Sequence, residues 1–343
     1  MMGHQVQRML FVGDDWIGSN ATSLRNAFQQ TGIEVVTVNT FAVAEALSFQ
    51  PRRLAKKVAP EKYERWATAQ VTRRVSQVIR QHQPFDVLFV FKGVYVAPEV
   101  VSNFPGISVH YHPDDSANPE NTSMAYALAE AHYDLHVTTK VHNIPELRER
   151  VPSQILFVEC AYDPEWHFPP KGRVELRHAG LIGTNRPDRS KFVADVAREV
   201  AALGGAMTVA GTGWKSDREL RNIATVVGPR YGINFAKSVH ESPLQLGVLN
   251  SANRDTHTCR TFEIPASGGL FIGERTVEHD RIFENNNNAL LYGNDDEGID
   301  MVRFALTHEA ASDRLRLSGL DAISRGENTY ADRARQIMKA IDA

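Results

Sequence analysis

The order in which apolar runs and amphipathic stretches alternate constrains this chain most. Arg8-Met-Leu-Phe-Val-Gly13 is a short apolar run closed by glycine, followed by the polar loop Asp14 to Asn20. A helical stretch from Ala21 to Gln30 ends at Gly32, and Ile33 to Val38 is a β-branched run. Strand, loop, helix, strand opens a doubly wound parallel sheet. The pattern continues through a long amphipathic helix, Glu61 to Gln81, and apolar strands at 86–91, 106–110, 135–140 and 154–160. From Tyr162 to Val174 it breaks, because Pro164, Pro169, Pro170 and Gly172 give a polar, loop-like stretch. It then restarts at Arg177 to Gly183 and runs through strands near 206–211, 223–228, 244–249, 268–273 and 289–292, closing on the helix Tyr330 to Ile341. This predicts two αβ domains, 1–163 and 174–327, and a C-terminal helix in 328–343 packing back on the first. At 343 residues the chain has the length for two domains.

Composition narrows the class. Apolar residues make up 42% and charged residues 23%, which is ordinary for a globular protein. A net charge of −3 gives no bulk attraction to nucleic acid or an anionic membrane. Cys160 and Cys259 lie in no CxxC or Cys/His spacing, so neither a disulfide scaffold nor a structural zinc site is expected. Met1 to Arg8 is polar and lacks the apolar core of a signal peptide, and no run approaches the ~20 apolar residues of a membrane span. A cytoplasmic location is expected.

Two common αβ chemistries lose ground. The loop after the first strand, Gly13-Asp-Asp-Trp-Ile-Gly18, fails the G-x-G-x-x-G spacing, and Trp16 would obstruct a pyrophosphate. Gly211-Thr-Gly213 lacks a third glycine at the required offset, and no P-loop occurs. The sharper signal runs from Asp255 to Gly269. Asp255 and Glu263 stand eight positions apart, a helix start is expected near Thr261, and Gly268-Gly269 ends that helix. A helix start offers unpaired amides and a positive dipole end to a diphosphate. Glu263, in the first turn, can accept from two ribose hydroxyls, and Arg260 can neutralise phosphate. A helix-capping glutamate beside a surface ion pair explains the same residues equally well.

The run Arg260-Thr-Phe-Glu-Ile-Pro-Ala-Ser-Gly-Gly269 resembles the signature of the CgeB-like glycosyltransferases, which are similar to the group 1 (family 4) enzymes of GT-B fold. Gly180-Leu-Ile-Gly183 with Arg189, Gly211-Thr-Gly213-Trp214, Gly228-Pro229, Phe283-Glu-Asn-Asn286 and Asn328-Thr-Tyr-Ala-Asp-Arg333 add to the likeness. So do Phe91-Lys-Gly93, Tyr133-Asp134 and Thr139-Lys140 with Asn143. The resemblance implies two Rossmann-like domains facing across a cleft, acceptor in the first and nucleotide-diphosphate sugar in the second. It implies a retaining, metal-independent transfer with no cofactor beyond the donor, to a small-molecule, glycan or protein acceptor. Glu263 falls on the second member of the family's Glu-x7-Glu pair. Asp255 falls on the first and departs from it by one methylene.

The same likeness suggests further donor contacts. Thr261 and Phe262 lie within the signature. Arg186 or Arg189 could meet the β-phosphate, and a solvated helix start is the plainer reading of both. Gly211 and Gly213 could admit the nucleotide or simply form a turn. Pro229 and Tyr231 resemble a base-binding loop, and Tyr231 is equally readable as a packing residue. Gly18 and Ser19 sit at the first strand-to-helix turn. His110 and His112, ahead of Asp114 and Asp115, could bond the sugar, act as general base, or build a turn. Lys92 is a weaker candidate. A nucleotide-sugar epimerase or hydrolase, or a binding module without catalysis, fits the same sequence.

Overall fold

The computed structural model of the chain describes residues 6–44, 54–55 and 57–343. Met1 to Gln5, most of the polar N-terminus read above, lie outside them. The backbone divides into two compact units. One comprises Met1–Glu159 and Tyr330–Ala343, the other Cys160–Thr329. The proline-rich stretch at 162–174 thus belongs wholly to the second unit. Its backbone is tied there, because Tyr162 N donates to Asn328 O at 3.1 Å.

The first unit is built on strands β1 (Arg8–Gly13), β2 (Glu34–Asn39), β3 (Val87–Phe91), β4 (Ile107–His112), β5 (Leu135–Thr138) and β6 (Gln154–Phe157). All pairs are parallel, in the order β2-β1-β3-β4-β5-β6. All of β3 is buried, as helices on both faces of a parallel sheet require. The helix Pro60–His82 buries Tyr63, Ala67, Val71, Val75 and Val78, one stripe at helical spacing. Asp86 pins the start of the sheet by accepting from Gln7 N and Arg8 N, both at 2.8 Å. The last helix, Tyr330–Ile341, belongs to this unit and packs on the helix Asn20–Gln30.

The second unit contains β7 (His178–Ile182), β8 (Ala206–Ala210), β9 (Thr225–Val227), β10 (Leu244–Gly247), β11 (Leu270–Glu274) and β12 (Leu290–Tyr292). They are parallel in the order β12-β11-β10-β7-β8-β9. Apolar clusters cover the sheet, one including Val193, Val196 and Val200 of the helix Pro187–Ala202, the other Phe235, Phe262 and Phe271. The asparagine run at 285–288 forms a turn, with Asn286 at φ 64° and Asn286 N donating to Ala289 O at 2.9 Å.

In each sheet the strand order reverses beside the first strand of that sheet. Between β1 and β3, and between β7 and β10, neighbouring loops leave in opposite directions and open a crevice at the carboxyl edge. Open αβ sheets bind ligands there.

Candidate functional site

In the second unit, Arg189 spans this crevice. Its Nη1 donates to Thr184 O at 3.2 Å and its Nη2 to Leu249 O at 2.9 Å. Only 8% of the residue is exposed, and its Nε has no hydrogen-bond partner. The guanidinium therefore ties the loop after β7 to the loop after β10. Arg186 stands half-buried at the N-cap of the same helix, where its side chain makes no cap bond. Glu274, at the end of β11, accepts from Leu249 N at 2.8 Å, and burial raises its carboxyl above the ordinary range. Nothing in its sequence surroundings had marked it.

The loop after β10 closes on itself. Arg254 adopts φ 47°, Asp255 N donates to Asn250 O at 3.2 Å, and Asn250 N lies 3.3 Å from Asp255 Oδ2. The carboxylate of Asp255 thus stays with its own loop.

The helix that follows spans Cys259–Ala266, two residues earlier than its sequence suggests. Glu263 is therefore in its second turn, not its first, and the helix start precedes it. The expectation of free amides at this start is also corrected. Arg260 N donates to Thr258 Oγ1 at 3.2 Å, Thr258 N to Thr261 Oγ1 at 3.2 Å, and Thr261 N to Thr258 O at 3.1 Å. These bonds occupy the Arg260 and Thr261 amides at the helix start. Thr261 is fully buried and its hydroxyl also bonds His279 Nε2 at 2.9 Å, while Phe262 packs edge-on against His257. Both are inward, structural members of the signature. The ring of His279 stays neutral, pushed down to about 4 by burial.

Arg260 and Glu263 face the other way. Arg260 Nε donates to Ile182 O at 2.9 Å, which fixes it at the end of β7. Its guanidinium lies 4.6 Å over the Phe235 ring, a cation–π contact, and Nη1 pairs with Glu263 Oε2. The Arg260 side chain keeps 30% of its surface, whereas that of Glu263 keeps 4%. His167, from the stretch read as linker, reaches Glu263 Oε1 at 3.6 Å. Neighbours in sequence gave no signal for it, because the prolines around it read as loop.

The glycines after β8 have a local explanation. A Cβ on Gly211 would sit 1.9 Å from Gly183 O, and Gly213 has φ 89°. Trp214 Nε1 donates to the same Gly183 O at 2.7 Å, and Asn185 N to Thr212 O at 2.8 Å. Two loops meet backbone to backbone, and only glycine fits between them. Beyond β9, Pro229 stands beside the partly exposed Tyr231 at the approach to the helix Ile233–Glu241.

In the first unit the strand ends carry more polar residues, but most are consumed. His110 is 1% exposed, with Nδ1 at 3.2 Å from His136 Nδ1 and Nε2 at 3.1 Å from Lys92 O. His136 Nε2 lies 2.9 Å from Glu130 O. A carbonyl only accepts, so each neutral ring carries its proton on Nε2, and the two Nδ1 atoms face each other as acceptors without a proton between them; all four nitrogens face protein atoms. Burial drives both rings well below the usual imidazole range, His136 to about 4. His112 is also buried, its Nδ1 2.8 Å from Asp114 O. A general base must reach the proton it takes; within this unit both nitrogens of His110 face protein atoms, whereas the buried Nε2 of His112 makes no hydrogen bond. Ser19 caps the helix Asn20–Gln30 by accepting from Ala21 N at 3.2 Å, and Gly18 turns into it at φ 87°.

Lys92 is different. It adopts φ 65°, a costly conformation for a residue with a side chain, at the end of β3 beside the crevice. Its Nζ pairs with Asp114 at 2.7 Å. Burial alone would lower its pKa, but Asp114 and Asp14 together hold it above the ordinary value.

Among the described residues, no group of three or more His, Cys, Asp or Glu side chains is arranged to hold a metal ion. Among the same residues, no helix is long and apolar enough to cross a membrane.

Comparison with known proteins sharpens this geometry. Residues 186–339 match a family described as glycosyl transferase-like. No curated protein matches the sequence. Among solved structures, a sucrose-phosphate synthase from Thermosynechococcus elongatus is similar over 97% of this chain and 98% of its own, at TM-score 0.68 and 11% identity. An α-glucosyltransferase in complex with UDP and a mismatched 13-mer DNA is similar over 98% and 100%, at TM-score 0.67 and 12% identity. A provisional UDP-N-acetylglucosamine 2-epimerase from Listeria monocytogenes is similar over 97% and 95%, at TM-score 0.61 and 12% identity. The chain has the GT-B fold, and the stretch similar to the glycosyl transferase-like family covers most of its second unit and continues into the C-terminal helix.

Proposed function

We propose that this protein transfers a sugar from a nucleotide-diphosphate sugar to an acceptor, as a member of the CgeB-like group, with retention and without a metal ion. The observation that carries the reading is the Arg260–Glu263 pair at the crevice of the second sheet. It presents a cation with exposed surface beside a buried carboxylate, which is the chemistry a ribose diphosphate needs. Glu263 takes the ribose hydroxyls and Arg260 the diphosphate. The loop of Pro229 and Tyr231 takes the base. Arg189 holds the two crevice loops at fixed spacing and adds positive field, with Arg186 beside it. Asp255 is turned into its own loop and must leave it to reach the sugar.

Charge that develops on the departing diphosphate is stabilised by Arg260, an electrostatic contribution to catalysis. The leaving phosphate oxygen can itself take the acceptor proton, so no separate base is required. The acceptor belongs to the first unit, where Lys92, half-buried and paired with Asp114, supplies a cation at the crevice.

The test is release of nucleoside diphosphate from UDP-, GDP- and dTDP-sugars, with and without a panel of sugar and polyol acceptors. Acceptor-dependent release, undiminished by EDTA and giving a product of the donor's anomeric configuration, is the expected result. A second reading, a nucleotide-sugar epimerase, is favoured by the similarity to the Listeria protein. Sugar released or epimerised with no acceptor present would replace transfer by that chemistry.

A further inference from the structure

The stretch after Pro164 is shaped to deliver one side chain. Asp163 O accepts from Trp166 N at 3.0 Å and from His167 N at 2.8 Å, and Asp163 Oδ1 from Glu165 N at 3.0 Å. This tight turn folds His167 back over Asp163, whose own N–H donates to His167 Nδ1 at 3.0 Å. A backbone N–H admits only an acceptor, so the neutral ring must carry its proton on Nε2. That nitrogen lies 3.6 Å from Glu263 Oε1. The contact is longer than a hydrogen bond but orients an N–H dipole on a buried carboxylate.

Four further contacts fix the geometry. The His167 ring stands edge-on to Phe235, with centroids 5.1 Å apart and planes at 90°. The Phe235 ring carries the Arg260 guanidinium, and Arg260 returns to Glu263 through its other oxygen. Two residues on, Pro169 lies against Gly268, where an added Cβ would come within 3.0 Å of the proline Cβ. His167, Phe235, Arg260 and Glu263 form a closed ring in which the imidazole faces one oxygen of the carboxylate and the guanidinium pairs with the other.

We infer that His167 is a positioning residue for the donor: its Nε2–H holds Glu263 in the orientation that accepts from ribose hydroxyls, and so sets the preference for ribonucleotides over deoxyribonucleotides. Without that N–H, the carboxylate turns wholly to Arg260, and both ribose and diphosphate lose a partner. This rests on the assignment of Glu263 to the donor ribose given above.

Two replacements separate positioning from packing. His167→Phe keeps an aromatic ring against Phe235 but has no N–H. His167→Gln keeps an N–H but has no ring. Dissociation constants for UDP and 2′-deoxy-UDP, and for GDP and 2′-deoxy-GDP, are measured by calorimetry on the full chain, with each variant's melting temperature recorded. The unsubstituted protein should prefer the ribonucleotide of the pair it binds by about tenfold, as expected for a hydrogen bond to a charged group. His167→Phe should bring that ratio below about threefold while the melting temperature holds, and His167→Gln should keep most of it. The reverse order, with Phe retaining the preference and Gln losing it, would assign His167 to packing and overturn the inference. So would an unsubstituted protein that binds both members of a pair equally. Failure of the unsubstituted protein to bind any of the four would instead remove the donor reading itself.

Discussion

The two units present the same architectural opening, a crevice at the carboxyl edge of a parallel sheet, and fill it in opposite ways. The first unit crowds its strand ends with His110, His112, His136, Asp114 and Lys92, and bonds nearly all of them to one another or to backbone. The second gathers more true charges there, Arg186, Arg189, Asp255, Arg260, Glu263 and Glu274, and among them Arg260 keeps exposed surface beside a buried carboxylate that it pairs with. A concentration of chemically able residues therefore says little about binding. What distinguishes a site is a charged group that is held in place but not used up.

Four perturbations test that contrast, in descending order of expected effect. If Gly211 is glycine because two loops meet there, Gly211→Ala should destabilise the protein by more than about 3 kcal/mol, since backbone atoms must move to admit the methyl. Denaturant titration measures this, and an intact fold with weakened nucleotide binding would instead show that the nucleotide requires the glycine.

Acid should weaken both units through one buried imidazole each, His136 in the first and His279 in the second. Their folded pKa values are near 4, against 6.5 unperturbed. A depressed folded pKa means the unfolded chain binds the proton more readily, so the stability is whole above about pH 6.5 and falls as pH drops towards 4. The loss is on the order of 3 kcal/mol for each ring. Imidazole NMR titration in which either ring protonates near pH 6.5 would show that it is not sealed.

Arg260→Ala should weaken UDP binding by about 2 kcal/mol, the range for charge-assisted bonds, while uridine, lacking phosphate, loses much less. Equal losses for the two ligands would place Arg260 on the ribose side only. The smallest effect is expected at Lys92. Glycine accepts φ 65° without strain, so Lys92→Gly should alter stability by no more than about 1 kcal/mol and leave nucleotide affinity unchanged. Transfer to the acceptor should slow markedly, and an undiminished rate would remove Lys92 from the acceptor site.

Much of the fold was legible because parallel strands buried on both faces leave apolar runs that punctuation by Gly and Pro delimits. β3, read as 86–91, is fully buried at Val87–Phe91, and the long helix read as 61–81 extends over Pro60–His82. The site was harder to read. Arg260 and Glu263 share a helix and their pairing follows from spacing of three, but which face looks outward depends on Phe235 and the end of β7, far away in sequence. The helix start was placed two residues late: Thr256, Thr258 and Thr261 all stand near it as possible caps, and Thr258 is the one used. His167 was invisible for a plainer reason: prolines mark where regular structure stops, not what the loop carries. His110 shows the opposite limit, since a strand-end histidine looks the same in sequence whether its nitrogens are free or taken.

The central claim is that the nucleotide-diphosphate donor is held in the second unit through Glu263. The most direct measurement is calorimetric titration of Glu263→Ala and the unsubstituted protein with the nucleoside diphosphate the latter binds, at matched melting temperature. The account predicts a loss of affinity well over tenfold in the variant. An unchanged dissociation constant would contradict it.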